Sequence, residues 1–119
     1  MASSLGLGRT TAADTPKTQK VMTAARIQEW KQLVREVVAA PHLKGYIARL
    51  VLATHPKSPH AIDATNKYVR YGASPRASIA LERCARAHAW LYGRNYISPE
   101  DIHAIAADVL RHRLILSYE

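Results

Sequence analysis

The sequence is short of cysteine, of long apolar runs and of acidic side chains, and each shortage excludes something. Its one cysteine, Cys84, can close no internal disulfide and has no Cys-x-x-Cys partner for a zinc site. That excludes a disulfide-framed secreted module and makes a reducing cytoplasm the simplest home. No apolar run approaches the ~20 residues needed to span a bilayer, and Met1-Ala2-Ser3-Ser4 lacks the basic-then-apolar order of a signal peptide. The expectation is a soluble chain with no membrane span.

Chemistry-bearing motifs are missing too. There is no Gly-x-x-x-x-Gly-Lys-Ser/Thr loop, and Gly6-Leu7-Gly8-Arg9-Thr10-Thr11 lacks the lysine that would make one, so the chain alone cannot cradle a nucleotide. No paired-carboxylate arrangement, nucleophile elbow or His-Glu-x-x-His is present. The histidines at 42, 55, 60, 88, 103 and 112 include no pair four residues apart, which argues against a metal site.

What is there is one domain's worth of chain, 119 residues with 17 Lys plus Arg against 9 Asp plus Glu and a formal charge of +8. Such a charge suits nucleic acid, anionic lipid or a phosphate ligand, or simply a solvated surface. Residues 1–22 hold Arg9, Lys17 and Lys20 against Asp14, so most of the excess lies further on, dispersed rather than in a basic arm. Residues 1–20, rich in Gly, Ser, Thr and Ala, read as a flexible leader or linker, and 21–119 as the folded domain.

From Thr23, helical spacing puts Ile27, Trp30, Leu33, Val34, Val37 and Val38 on one face until Pro41 stops the run. A second helix carries Leu43, Tyr46, Ile47, Leu50 and Val51 and must end before Pro56. Residues 55–73 lack a sustained period and read as a long loop with room for one short helical turn. Ser74 as cap and Pro75 as first residue open a third helix that runs through Ile79–Leu91 and closes at Gly93. Ser98 and Pro99 open a fourth, whose acids Glu100 and Asp101 complement the helix dipole. Leu114-Ile115-Leu116 reads as a short strand or a helix end. The fold class is all-α, a small bundle of about four main helices.

Within Gly72-Ala73-Ser74-Pro75-Arg76, Arg76 falls in a first turn, where the positive dipole end and unpaired N–H groups favour an anion rather than a cation. Two readings stand: a surface arginine that avoids the dipole, or a cation waiting for a phosphate from elsewhere. Cys84 and Trp90 read as packing residues, and Arg111 with Arg113 as cations suited to the negative end of the fourth helix.

Three ordered stretches carry a family resemblance: Tyr71-Gly-Ala-Ser-Pro-Arg-Ala77, Gly93-Arg-Asn-Tyr-Ile-Ser-Pro-Glu-Asp-Ile102 and Val109-Leu-Arg-His-Arg-Leu-Ile-Leu116. Together with Leu50-Val-Leu-Ala-Thr54, they resemble the C-terminal lid domain of the MoxR family of AAA+ ATPases, from about Lys20 onward. The resemblance implies a helical lid over ATP, with Mg held on a separate α/β core that carries the Walker motifs. It implies that Arg76 is the catalytic sensor 2 arginine, that Ser74 and Arg76 bind the nucleotide, and that the fragment binds no cofactor by itself. It further implies a parent ATP hydrolase with chaperone-like remodelling activity, neighbouring subunits in a ring, and von Willebrand factor A domain proteins as partners. Where many relatives have Arg, this chain has His55. The chain reads as an excised domain, without activity alone.

The competing reading is a basic helical nucleic-acid-binding module, and a third is a stand-alone interaction bundle. Salt separates the first two, because binding to nucleic acid falls steeply as salt rises and a lid would show little of it.

Overall fold

The structure, a computed structural model, describes residues 15–117. Most of the expected leader therefore lies outside the described residues, and 15–20 are exposed and form no regular element. Five α-helices follow: α1 (Ala24–Arg35), α2 (Pro41–Ala53), α3 (Asp63–Tyr68), α4 (Arg76–Leu91) and α5 (Pro99–Leu110). A 3-10 turn, Arg111–Arg113, ends α5, and two short strands, β1 (Val69–Tyr71) and β2 (Ile115–Leu116), pair antiparallel.

The core is built around α4. Its buried residues, Ala77, Leu81, Ala85 and Ala89, recur every four residues, so three of the four are alanines and neighbouring helices can approach closely. Leu43, Ile47 and Val51 of α2 and Ile102 and Val109 of α5 fill the space around that stripe. Leu81 and Ile102 are completely buried. The α4 stop is a Schellman turn: Arg94 N–H donates to the Ala89 carbonyl (3.0 Å), Gly93 N–H to that of Trp90 (3.0 Å), and Gly93 takes φ of 79°. Trp90 then packs against Trp30 of α1, with ring centroids 5.3 Å apart.

Helix α1 differs from its sequence pattern. It stops at Arg35, six residues before the Pro41 of α2, and none of its residues is fully buried. The Val37 and Val38 periodicity is in phase with the helix, but Val38 instead pairs with Asn95 and Ile97: its N–H donates to Asn95 (2.8 Å) and its carbonyl accepts from Ile97 (3.0 Å). Two backbone bonds to the α4–α5 connection outweigh one further helical turn there, and Val37 is buried by this bend.

The stretch after α2 is more structured than its composition implied. A helix leaves its last carbonyls short of partners, and here three hydroxyls add to the Thr54 and His55 amides in supplying them. Thr54 Oγ1 donates to Val51 (2.6 Å), Ser58 Oγ to Leu52 (2.7 Å) and Thr65 Oγ1 to Ala53 (2.8 Å). Thr65 is buried and sits on α3, so its bond ties the short helix to the end of α2. Thr65→Val should cost about 1–2 kcal/mol in chemical denaturation, because it orphans a carbonyl while keeping the side-chain shape. The tail forms a strand rather than a helix end, held further by Ser117 N–H to Tyr68 (2.8 Å).

Candidate functional site

Gly72 and Ala73 dock against the end of α2 and so determine where α4 begins. A Cβ on Gly72 would lie 2.7 Å from the Thr54 carbonyl oxygen and 2.8 Å from His55 Cγ, which no real side chain tolerates. Ala73 is completely buried. Gly72→Ala is expected to lower stability by about 1–3 kcal/mol through overpacking against backbone, read as a drop in the thermal midpoint.

The start of α4 departs from expectation in one detail. Pro75 already has helical dihedrals (φ −56°, ψ −23°), as expected of a first-turn proline, but Ser74 forms no side-chain cap. The Ala77 and Ser78 amides instead donate to the Ser74 (2.9 Å) and Pro75 (3.1 Å) carbonyls in a tight turn. Two of the amides expected to await an anion are thus already used. What the helix end offers is two exposed residues, Arg76 and, two positions before it, Ser74.

Arg76 has no acidic partner among the described ion pairs. It lines a depression of about 490 Å³ with Ile79, Ala80, Arg83 and Cys84, all from the outer face of α4. Arg83 also borders a second depression of about 340 Å³, shared with Lys31, Val34 and Arg35 of α1. Neither has an acid among its described lining residues, which give the face positive charge around an apolar ledge on which Ile79 is 53% exposed. Cys84 belongs to this face and is exposed, which corrects its reading as a packing residue. The buried stripe takes only every fourth residue from Ala77, and Cys84 falls just off it.

A second polar cluster was visible only as separate residues in the sequence. Asp101, first read as a dipole acid, is completely buried and joins the end of α4 to the start of α5. Arg94 donates to both carboxylate oxygens (2.6 Å each), His88 Nδ1 donates to Oδ1 (2.7 Å), and Ser98 donates through its N–H (2.7 Å) and Oγ (3.1 Å) to Oδ2. Burial is the largest single influence on this carboxyl and pushes its pKa up. The bonds from Arg94, His88 and Ser98 together outweigh it and hold the carboxyl well below the usual range. Each of the three residues spends at least one donor on this buried carboxylate and so ties the end of α4 to the start of α5, which makes the cluster's work structural. At the other end of α5, Arg113 donates to the Val109 carbonyl (2.6 Å), the dipole-complementing role expected of it, and Arg111 reaches Asp108 (3.2 Å).

Among the described residues, no group of three or more His, Cys, Asp or Glu side chains is placed to hold a metal ion, and no helix is long and apolar enough to cross a membrane.

The described residues thus form a small helical module with a cationic and partly apolar face, and at a helix start it presents an arginine with no acidic partner among the described ion pairs. The family model described as the AAA lid domain matches residues 62–119. The chain is 31% identical over 104 residues to Chaperone MoxR1 of Mycobacterium tuberculosis, covering 87% of this chain and 28% of that protein. It is 38% identical over 84 residues to Protein MoxR of Methylorubrum extorquens, covering 67% of this chain and 24% of that one. Among solved structures, a proposed ATPase from Cytophaga hutchinsonii superposes with a TM-score of 0.78 at 36% identity, over 93% of this chain and 34% of that one. The chain belongs to the MoxR family of AAA+ ATPases, as its lid domain. It spans about a quarter of the length of the curated relatives it matches.

Proposed function

We propose that this lid closes over ATP bound on a separate core domain of the same protein and supplies Arg76 as its sensor 2 arginine. The observation that carries the reading is the position of Arg76, exposed at the first turn of α4 with no acidic partner among the described ion pairs. A cation at the positive end of a helix dipole is mildly unfavourable to the helix, and a terminal phosphate brought to it reverses that penalty. ATP, with its Mg held by the core, supplies the scissile phosphoanhydride. Arg76 would neutralise charge that develops on the transferred group, and the Ser74 hydroxyl would donate to a phosphate oxygen nearby.

Loss of the terminal phosphate removes the contact that favours the closed position, so the lid converts nucleotide state into rigid-body movement. In the full protein that movement would drive chaperone-like remodelling, in the cytoplasm and within a ring of subunits, with von Willebrand factor A domain proteins as co-workers. The name of the Mycobacterium relative, a chaperone, supports this direction. The apolar ledge at Ile79 and the cations Arg83, Lys31 and Arg35 would face the core or a neighbouring subunit.

The test is to assay the full-length protein and the isolated lid side by side. The full-length protein, with Walker A and Walker B motifs upstream of the lid, is expected to hydrolyse ATP and the lid alone to show no turnover. Salt-sensitive duplex binding by the lid, with no ATP turnover in the longer protein, would instead favour a nucleic-acid module.

A further inference from the structure

Ala73 is gripped at both of its backbone polar groups by two consecutive side chains from the end of α2. Its N–H donates to Thr54 Oγ1 (3.0 Å), and His55 Nε2 lies 2.6 Å from its carbonyl oxygen. A carbonyl oxygen only accepts, so His55 Nε2 carries the proton and donates. The Thr54 hydroxyl proton is committed to the Val51 carbonyl (2.6 Å), which leaves the oxygen lone pairs for Ala73. Both bonds are partly shielded from solvent, and Gly72 seats its Cα against the Thr54 carbonyl with no room for a Cβ.

Two residues, Ser74 and Pro75, separate this grip from Arg76, and little slack lies between. Pro75 fixes its own φ, Ala73 and Ala77 are completely buried, and the Ala77 amide bonds back to Ser74. The two long helices with serine-proline starts are thus anchored differently. α5 is held by Asp101 reaching back to the Ser98 N–H, whereas α4 has no side-chain cap and takes its anchor from α2.

We infer that Thr54 and His55 are positioning residues for Arg76. They fix the peptide from which α4 departs, and with it the direction in which the guanidinium reaches a terminal phosphate. The inference rests on the nucleotide role proposed for Arg76. His55 needs only a proton on Nε2, so a glutamine amide, which places a donor at a similar reach, should substitute for it.

The experiment is a double-mutant cycle in the full-length protein, read as ATP turnover per assembled oligomer for Arg76→Ala, His55→Leu and the pair, with His55→Gln as the conservative control. His55→Leu is expected to lower turnover about tenfold or more, the scale set by misplacing a catalytic group by a fraction of an ångström to an ångström. In the Arg76→Ala background the same change should cost less than about twofold, because the group being positioned is gone. His55→Gln should recover most of the lost turnover. Equal losses from His55→Leu in both backgrounds, or no loss in the parent, would overturn the positioning role. A normal rate for Arg76→Ala alone overturns the nucleotide role itself, and is visible in that single variant. Thr54→Val against Thr54→Ser repeats the cycle on the other half of the grip, so the outcome does not depend on the folding of one variant.

Discussion

Arg76→Ala in the full-length protein is expected to reduce ATP turnover about a hundredfold, while the melting temperature of the lid moves by less than about 3 °C. The first magnitude is that of removing one preorganised donor from a developing oxyanion, and cationic groups in phosphoryl transfer reach larger values. The second follows from exposure. The Arg76 side chain is out in solvent and forms no ion pair among the described residues, so its truncation removes little that the folded lid uses. Comparable losses of turnover and stability would mean that Arg76 is a packing residue.

Asp101→Ala should have the opposite profile, with a stability loss of about 3 kcal/mol and a melting temperature lower by more than about 10 °C. The carboxylate is completely buried and takes five hydrogen bonds from His88, Arg94 and Ser98, so its removal leaves the donors of three residues facing a void. Because Arg94 and His88 are partly exposed and can rehydrate, the loss belongs at the lower end of the range for breaking a buried ion pair. The pH dependence has a definite sign. The folded-state pKa of Asp101 lies below its unfolded value near ~3.9, so its contribution is fully present above that value and is lost as pH falls below it. Acid unfolding of the parent lid should therefore steepen below about pH 4. In Asp101→Asn that segment of the curve should flatten, which differential scanning calorimetry across pH would show.

Punctuation made much of this legible. Proline after serine marked the starts of α4 and α5, and Gly93 marked the α4 stop, because each residue has a backbone preference that acts locally. Arg76 stood out for the same reason, as a cation in a turn that favours anions. Long-range pairing was not legible. Val37 and Val38 continue the α1 period, yet the chain bends there to pair with residues 95–97, a choice no local window contains. Cys84 has apolar neighbours in sequence but lies one step off the alanine stripe. Asp101 had a sufficient local explanation as a first-turn acid, which concealed its partners His88 and Arg94. The hydroxyls of Thr54, Ser58 and Thr65 looked like loop composition, and only the fold shows each one finding a carbonyl at the end of α2.

The central claim is that Arg76 recognises the terminal phosphate of ATP, and nucleotide discrimination tests it more directly than rate does. The measurement is the affinity of the full-length protein for a non-hydrolysable ATP analogue and for ADP, with Arg76 and with Arg76→Ala, by titration calorimetry. A charge-assisted bond to the terminal phosphate predicts that the ratio of the two affinities falls about tenfold or more in the variant, while ADP affinity changes less than about twofold. An unchanged ratio, or an equal weakening of both nucleotides, would contradict it.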